Sequence, residues 1–238
     1  MVTDESVQIN RNKQLLFTKL YMKTLFLTTA LFFYFSIISF SQEPFARPNL
    51  QNCEKKAQKE FFKLKKDGWM QEDDAGFDLK AALTKFYLLQ EELDSKKKQN
   101  YFFADGSSIS STKTGGYLES TDKAKLALAD KLISAIDSAL NSKLQSKMAT
   151  EIEKAQAHKM VIDLKEGIAK KISKANVAIK LFRTSETNSL VPESQTETMV
   201  KIYQDKKYLY ELGAAEAIKI FKNKFDFSED DLNGLFKY

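Results

Sequence analysis

Cysteine is nearly absent from this chain, which holds one among its 238 residues. A single cysteine cannot close a disulfide within the chain, so we expect packing alone to hold the fold together. Cys53 repeats with Leu50, Ala57, Phe61 and Leu64 at helical spacing, and this stripe predicts a small buried residue. A reactive thiol, or a bridge to another chain, is the alternative interpretation of Cys53.

Histidine is equally scarce, and this limits the chemistry that the chain can perform. His158 is the only one, and the run AQAHK around it contains neither a second histidine nor a cysteine. A histidine-based zinc site or a serine–histidine triad therefore has little support, and we interpret His158 as a surface or half-buried helix residue. The sequence predicts no catalytic, cofactor-binding or metal-binding residues and no cofactor.

Two acidic runs, at residues 72–74 and 226–231, could hold a calcium ion weakly. The second places Asp226, Ser228 and Asp230 at alternate positions, but it lacks the glycine that a calcium loop carries at its sixth position. We therefore interpret the two runs as a solvated turn and a helix cap. Carboxylate pairs for glycoside hydrolysis stay open, because one sequence does not reveal which side chains meet in space.

Proline and glycine are rare, with three and eight copies, and their scarcity favours long helices. The pair Gly115-Gly116 is not followed by the lysine and hydroxyl residue of a phosphate-binding loop. The net charge of +5 is mild, and lysines alternate with acidic residues along helix faces. Nucleic acid is therefore excluded as an expected partner, since its binding needs a clustered basic surface.

One uncharged apolar run does stand out, at residues 24–40. As a helix it would span about 26 Å, which is short of the ~30 Å hydrocarbon core of a bilayer. Lys23 precedes it, and Ser39 and Ser41 supply the small residues that signal peptidase reads, so we predict a secretory signal peptide over residues 22–41. The alternatives are an uncleaved N-terminal anchor and, with less support, a buried core helix.

The predicted signal peptide divides the chain into segments. Residues 1–21 are polar and unpatterned, and we predict that they are a misassigned upstream start, with translation beginning at Met22. Residues 42–49 form a short extended leader, and no cysteine follows the apolar run directly, so we expect no lipid anchor and no membrane span after cleavage. Residues 50–225 are predicted to form a single domain with an N-terminal helical hairpin, and residues 226–238 a C-terminal tail.

Hydrophobic periodicity predicts five helices and three strands. The helices are expected at residues 50–66, at 78–93, from a cap at Ser120 or Thr121 through Leu140, at 150–173 and at 208–225. The strands are expected at residues 101–109, 176–184 and 197–204, with polar turns or loops at 71–76, 112–117 and 228–231. This order is α+β, and it predicts a small antiparallel sheet packed on one face by several long helices.

The same periodicity assigns faces to the elements. In the first strand, Tyr101, Phe103 and Asp105 would face one way, and Phe102 and Ala104 the other. Predicted inward positions of the fourth helix are Ile152, Ala155, Leu164, Ile168 and Ile172. Those of the last helix are Leu212, Ala215, Ile218 and the flanking Ile220 or Phe221. The second helix is predicted to turn Leu79, Leu83, Phe86, Leu89 or Gln90, and Leu93 inward, and Lys80, Lys85, Glu91 and Glu92 outward. The other two predicted strands alternate in the same way. In the strand at 176–184, one face would carry Val177, Ile179 and Leu181, and the other Ala178, Lys180 and Phe182. In the strand at 197–204, one face would carry Met199 and Lys201, and the other Val200 and Ile202.

Several stretches resemble parts of a known family. One is FFKLKKDGW at residues 61–69, a lysine-rich helix that ends in an acidic residue, glycine and tryptophan. Another is YFFADGSS at residues 101–108, followed by an alanine- and leucine-rich helix. With the strand pair at 177–184 and 198–204, they resemble the Lpp-twenty-like family of small envelope proteins of Gram-negative bacteria, mostly lipoproteins, over about residues 61–225. The resemblance implies an envelope location and an α+β module without catalytic residues, although the lipidated cysteine of the family is absent here.

Together these observations predict an exported protein, periplasmic or associated with the outer membrane. We favour a non-catalytic binding or structural module whose partners are envelope proteins or polymers. The alternative is an envelope-polymer hydrolase or a carbohydrate-binding protein that uses carboxylates. A concave pocket where two carboxylates converge without lysine partners would favour the enzyme, and an apolar patch or groove would favour the binding module.

Overall fold

The computed structural model describes residues 48–72, 78–94, 96–147, 150–172, 175–185, 195–222 and 227–237, all within one compact unit, Ala46–Tyr238. In these ranges the chain forms six α-helices and one four-stranded antiparallel sheet, which confirms the predicted α+β class. None of the helices in the described ranges combines the length and the apolar character needed to cross a bilayer. The predicted signal peptide at 22–41, the proposed upstream start at 1–21 and most of the leader lie outside the described residues.

Helix α1 spans Leu50–Lys66, as its apolar stripe predicts. The side chain of Asn49 accepts a hydrogen bond from the N–H of Asn52 and so caps the start of the helix. Gly68 follows the helix with a φ of 77°, a left-handed conformation that glycine adopts at little cost. The buried positions of α1 are Cys53, Ala57 and Leu64.

Strand β1 (Met70–Gln71) comes next, where the sequence predicts a polar turn over residues 71–76. It pairs with two residues of a later strand, so the predicted turn is wrong at Gln71, and most of the rest of that turn lies outside the described residues. Helix α2 spans Leu79–Glu91 and begins after Asp78, as predicted, although the Asp78 side chain makes no capping hydrogen bond. Of the positions predicted to face inward, Leu79, Leu83 and Phe86 are buried. Leu89, Gln90 and Leu93 are only partly buried, and Leu93 lies beyond the end of the helix.

Strand β2 (Tyr101–Ser110) confirms the first predicted strand, and it leads into α3, a helix of 35 residues, Lys113–Lys147. The predictions that α3 contradicts are the glycine loop over residues 112–117 and the helix cap at Ser120 or Thr121. The helix starts earlier because the hydroxyl of Thr112 accepts the N–H of Gly115 at 3.1 Å and so caps it.

Close approach of α3 to the sheet explains why glycines occur at this contact. A Cβ on Gly116 would lie 2.8 Å from the Thr198 side chain, and a Cβ on Gly106 of β2 would lie 1.9 Å from the carbonyl oxygen of Ser120. The hydroxyl of Ser120 lies 2.7 Å from that of Thr198 and donates to that of Ser108, so buried polar groups at the contact satisfy one another. The pair Gly115-Gly116, which the sequence suggests would break a helix, thus lies within α3, and Gly116 packs directly against the sheet.

Helix α4 (Glu151–Lys171) begins with a capping box formed by Thr150 and Glu153. The buried positions of α4 are Ala157, Met160, Leu164 and Ile168, and Ile172 is buried just beyond its end. The prediction was right for the later positions and wrong for Ile152, which is 72% exposed, and for Ala155, which is exposed. These two residues fall off the stripe because Ala157 and Met160 are the positions that repeat with Leu164 at helical spacing.

Two long strands complete the sheet, β3 (Asn176–Ser185) and β4 (Gln195–Asp205), and they confirm the remaining predicted strands. The strand order is β1-β3-β4-β2, and every neighbouring pair is antiparallel. A bulge interrupts β3 between Val177 and Ile179. Val177 is consequently 41% exposed rather than buried with Ile179, as simple alternation predicts.

Helix α5 spans Lys206–Phe221 and starts two residues earlier than predicted, because the side chain of Asp205 accepts the N–H of Tyr208. Its buried residues are Leu209, Gly213, Glu216, Ala217 and Phe221. The predicted inward position Ala215 is exposed, and Leu212 and Ile218 are only partly buried, so the predicted face is rotated from the observed one. The rotation brings Glu216 inward, where it forms an ion pair with Lys171 of α4.

The segment 226–238, which the sequence separates as a tail, contains a further helix, α6 (Glu229–Leu235). Ser228 caps it by accepting the N–H of Asp231 at 3.1 Å, as predicted, and the turn continues into seven helical residues. The buried residues of this segment are Phe227, Leu232, Leu235 and Phe236. These side chains join the core that α3 and α5 build.

Helices cover both faces of the sheet, so the prediction that they lie on one face was wrong. Ala104 and Ile202 face a larger core with α3, α4, α5 and α6, whereas Phe103 and Leu181 face a smaller core with α1 and α2. The predicted alternation in β2 is confirmed, because Tyr101 packs with Phe103 and Phe102 packs with Ala104. A sheet with two apolar faces needs cover on both, which the α1–α2 hairpin supplies.

Candidate binding site

The smaller core leaves a groove open where α2 passes over the ends of β3 and β4. The groove has a volume of about 230 Å³. One side of the groove is formed by α2, where the ring of Phe86 packs edge-on against that of Phe103, with 5.2 Å between the ring centroids. The other side is formed by β3 at its bulge. The residues that line the groove are Ala81, Ala82, Lys85, Phe86, Leu89, Val177, Ala178 and Tyr203.

Most of the groove wall is apolar, and it carries two polar groups. Lys85, predicted on the outward face of α2, is exposed in the lining and forms no ion pair with any described residue. Tyr203 packs its ring against that of Phe103 at 6.2 Å, and its hydroxyl has no hydrogen-bond partner within the described ranges. None of the described residues that line the groove carries a carboxylate. The groove therefore combines an apolar surface with one uncompensated positive charge.

A wider cleft of about 760 Å³ lies between α3 and α4. Its floor contains buried apolar residues, including Leu144 and Ala157, and its sides are polar. Two of its lining residues are lysines that already have partners: Lys165 lies 2.7 Å from Asp130, and Lys154 lies 2.6 Å from Glu151. Among the described residues that line the cleft, Asp137 is the single carboxylate.

His158 lies in this cleft and is exposed on α4, which confirms its interpretation as a surface helix residue. Its neighbours in the lining include the amides Asn141 and Gln145, which are weak metal ligands compared with cysteine, histidine or carboxylates. Nowhere in the described ranges do three or more histidine, cysteine or acidic side chains come together in a way that could hold a metal ion.

The acidic runs behave as structural elements where they are described. Glu72 pairs with Lys113 at 3.4 Å and with Lys180 at 3.6 Å, and the two acidic residues that follow it lie outside the described residues. Asp231 accepts hydrogen bonds from Lys143 and Ser228, which lower its pKa to about 2. In the second run, the helix-cap interpretation is confirmed at Ser228, and Asp226 lies outside the described residues.

Cys53 is a free cysteine and is fully buried, which confirms the prediction from its position on the stripe. Burial raises the pKa of its thiol, and a hydrogen bond with Glu91 raises it further. The thiolate is the reactive form of cysteine, so both effects make Cys53 less reactive.

A buried charge network, which the sequence does not predict, joins the hairpin to the sheet. Lys201 of β4 is only 7% exposed, and its Nζ lies 2.9 Å from Asp105 of β2 and 3.1 Å from Glu60 of α1. The hydroxyl of Tyr87 on α2 donates to the other Glu60 oxygen at 2.6 Å. The alternation places Lys201 on the same face as Met199, and a lysine on an apolar strand face is the signal that could have indicated this network.

The network stabilises the charged form of its lysine and the neutral form of its tyrosine. Burial alone would lower the pKa of Lys201, but attraction to Asp105 and Glu60 outweighs it and raises that pKa. Burial, together with the hydrogen bond to Glu60, raises the pKa of Tyr87. We interpret the network as a clamp between the hairpin and the sheet.

In the described ranges, therefore, no two carboxylates converge in either cavity. Glu60 and Asp105 approach one another through Lys201, and neither lines the groove or the cleft. Comparison with protein-family models, with curated proteins and with solved structures finds no match to this chain.

Proposed function

We propose that this protein is a secreted, non-catalytic binding or structural module of the Gram-negative cell envelope, located in the periplasm or at the outer membrane. The apolar run within residues 22–41, with its preceding lysine and following small residues, supports export. The observation that carries the binding role is the groove beside α2, which is open and mostly apolar and has no carboxylate among its lining residues. Envelope proteins or polymers are the proposed partners.

The resemblance to the Lpp-twenty-like family forms part of this proposal. FFKLKKDGW covers the end of α1 and Trp69, and YFFADGSS covers most of β2 ahead of α3. The later strand pair corresponds to β3 and β4. The α+β architecture agrees with what the resemblance implies, and the absence of a cysteine directly after the apolar run keeps lipid anchoring out of the proposal.

Hydrolysis of an envelope polymer by carboxylates requires two acidic groups about 5–10 Å apart on either side of the substrate. Within the part of the chain that the structure describes, Asp137 is the one carboxylate in the lining of the cleft, and the lining of the groove contains none. Where Glu60 and Asp105 approach each other, Lys201 occupies the space between them. These contacts support a binding role over the hydrolase.

Cell fractionation combined with intact mass measurement tests export. We expect the protein in the periplasmic or outer-membrane fraction, with a mass that corresponds to loss of the apolar run. Recovery from the cytoplasm of a chain that still carries residues 22–41 would overturn the proposed location.

Site-specific photo-crosslinking in intact cells tests the binding role. A crosslinker at Ala81, which lines the groove, should capture one envelope component reproducibly, and the purified component should bind the purified protein. Gln156 on α4, exposed but outside the groove and the cleft, is the matched control position and should capture nothing specific. Release of soluble fragments from purified envelope polymers by the protein would instead establish the hydrolase.

A further inference from the structure

We infer that the groove between α2 and the ends of β3 and β4 is a binding site for a small amphipathic carboxylate, an acid with a short aliphatic chain. The inference rests on the proposed binding function and names the chemical group of an envelope component that the groove would accept, a short aliphatic chain that ends in a carboxylate. Three features carry it: the size of the groove, the composition of its wall and the one charge in its lining.

The volume of the groove selects a small ligand. At the ~30 Å³ that one water molecule occupies in the liquid, about 230 Å³ holds roughly eight heavy atoms. Pockets for drug-sized ligands are larger, at about 300–1,000 Å³. The space is thus enough for the alkyl chain of an acid such as octanoate, whose two carboxylate oxygens would lie outside it at the exposed Lys85. It is too small to enclose an oligosaccharide or a helix.

The composition of the wall selects an apolar body for the ligand. Phe86 is almost fully buried, and Leu89, Ala82 and Ala178 are partly buried around it. A sugar would carry several hydroxyls into this space, where Lys85 and Tyr203 are the polar side chains among the described lining residues. Each hydroxyl left without a partner costs about 1–3 kcal/mol, whereas an alkyl chain has no such groups.

The charge in the lining selects an anionic head group. Lys85 forms no ion pair with a described residue, in contrast to Lys154 and Lys165 of the cleft, which both have acidic partners. An acid whose chain lies against Phe86 could place its carboxylate on the Lys85 ammonium and accept a hydrogen bond from the Tyr203 hydroxyl. A cationic ligand would be repelled, and a neutral one would lack the charge–charge attraction to Lys85.

Titration of the purified full chain with octanoate tests the inference, with binding followed by calorimetry and by saturation-transfer NMR. We expect a dissociation constant of about 0.1–1 mM, typical of a ligand with so few atoms. Octan-1-ol and octylamine have the same chain length without the negative charge. Octanol should bind about 2- to 5-fold more weakly than octanoate, the factor that an exposed ion pair contributes, and octylamine more weakly still.

Variants of α2 locate the binding. Lys85→Gln should weaken octanoate binding about 2- to 5-fold and leave octanol binding unchanged. Lys80→Gln is the matched control, since this lysine lies on the same helix but does not line the groove, and it should bind octanoate normally. Ala81→Leu should fill the groove and abolish binding of both ligands. Leucine suits an exposed helix position, and unchanged Trp69 fluorescence would show that this variant is folded.

Four outcomes would overturn the inference: no binding of octanoate, equal affinity for octanol and octanoate, octanoate binding that survives Ala81→Leu, and equal weakening by Lys80→Gln and Lys85→Gln. Binding of a peptide that ends in leucine more than about 10-fold tighter than octanoate would also overturn it, in favour of a protein C-terminus. Each of these results concerns the purified protein, so fractionation and crosslinking in cells still decide the proposed function independently.

Discussion

Lys201 shows how one side chain can attach two layers of the protein to each other. Its ammonium lies between Asp105 of the sheet and Glu60 of the hairpin, and its stem passes near the ring of Phe86, with Nζ 5.6 Å from the ring centroid. Loss of this cation would leave two carboxylates facing each other. The energetic role of Lys201 is therefore to neutralise its partners as well as to attract them.

We expect Lys201→Met to lower the free energy of unfolding by about 2–3 kcal/mol. Breaking a fully buried ion pair costs about 3–5 kcal/mol, and the effect is smaller here because Asp105 is half-exposed and keeps part of its hydration. Urea denaturation measures the change, with Lys159→Met at an exposed helix position as the control. Equal stability of the two variants would show that the network does not hold the hairpin.

The same network predicts a loss of stability at high pH. Folding raises the pKa of Lys201, where the two carboxylates outweigh burial, and it raises the pKa of Tyr87, chiefly through burial. A group whose pKa is raised on folding contributes stability below its unfolded pKa and loses it as the pH rises through the folded one. The free energy of unfolding should therefore fall above about pH 10. In the variant Lys201→Met/Tyr87→Phe the fall should be shallower, and an identical slope would contradict the assignment.

Trp69 is a second residue whose side chain should contribute strongly to stability. It is 7% exposed in the smaller core, and the guanidinium carbon of Arg183 lies 4.6 Å from its ring centroid. We expect Trp69→Ala to cost about 3–5 kcal/mol, the usual cost of deleting a buried aromatic side chain. Met70→Ala, at the neighbouring half-exposed position, should cost less than about 1 kcal/mol. Thermal unfolding measures both, and an unchanged midpoint for Trp69→Ala would mean that the indole contributes little to the core.

At the level of elements, the close contact between α3 and β2 depends on the absence of a side chain at Gly106. We expect Gly106→Ala to destabilise the protein by roughly 3 kcal/mol or more, because the new Cβ would meet the backbone of Ser120 and Ala124, which cannot move as a flexible side chain can. Gly234→Ala in α6 is the control, since a Cβ there has no neighbour within 4 Å. It should be neutral or stabilising by up to about 1 kcal/mol. Comparable losses in both variants would contradict this account of the contact.

Strand faces could be predicted from the sequence because alternation depends on neighbouring residues alone. Tyr101 and Phe102 were assigned to opposite faces on this basis, and the structure agrees. The start of α3 was predicted too late because Gly115 and Gly116 disfavour a helix locally. The cap at Thr112 is a local signal, but the packing of Gly116 against Thr198 of β4 depends on a strand some 80 residues further on. The inward face of α5 was predicted only in part, since Phe221 is buried and Leu212 and Ile218 pack against the larger core, but Ala215 is exposed. The burial of Glu216 was missed because it depends on an ion pair with another helix.

The groove also depends on residues that are distant in the sequence, so it could not be predicted from local patterns. Lys85 was correctly placed on the outward face of α2 by periodicity. Nothing in the sequence brings it next to Val177 and Tyr203, because the bulge in β3 and the crossing of α2 over the sheet create that proximity. The burial of Cys53, by contrast, could be predicted from the spacing of apolar residues within its own helix, without knowledge of the tertiary structure.

At the level of the whole molecule, β4 contributes to both cores. Val200 and Ile202 face the larger core, and Met199 and Tyr203 face the smaller one. Destabilisation on one face of the sheet should therefore be transmitted to the other, and the described unit should unfold in one transition.

Leu132→Ala tests this coupling, since Leu132 is fully buried in the larger core. The substitution should cost about 2–5 kcal/mol. Trp69, the only tryptophan, lies in the smaller core and reports on it by fluorescence, whereas far-UV circular dichroism follows the helices of both cores. The two signals should shift to the same lower denaturant concentration. A fluorescence transition that stays in place while the dichroism transition moves would show that the cores unfold separately.

The central position of β4 also constrains how the chain folds during its synthesis. Strand β2 is complete at residue 110, but its partner in the sheet spans residues 195–205. At about 5–20 residues per second, the ribosome needs roughly 5–20 s to make the intervening chain. Throughout that interval the apolar faces of β2 and α3 have no finished core to enter, so the nascent protein depends on a chaperone, or on delayed folding, until β4 emerges.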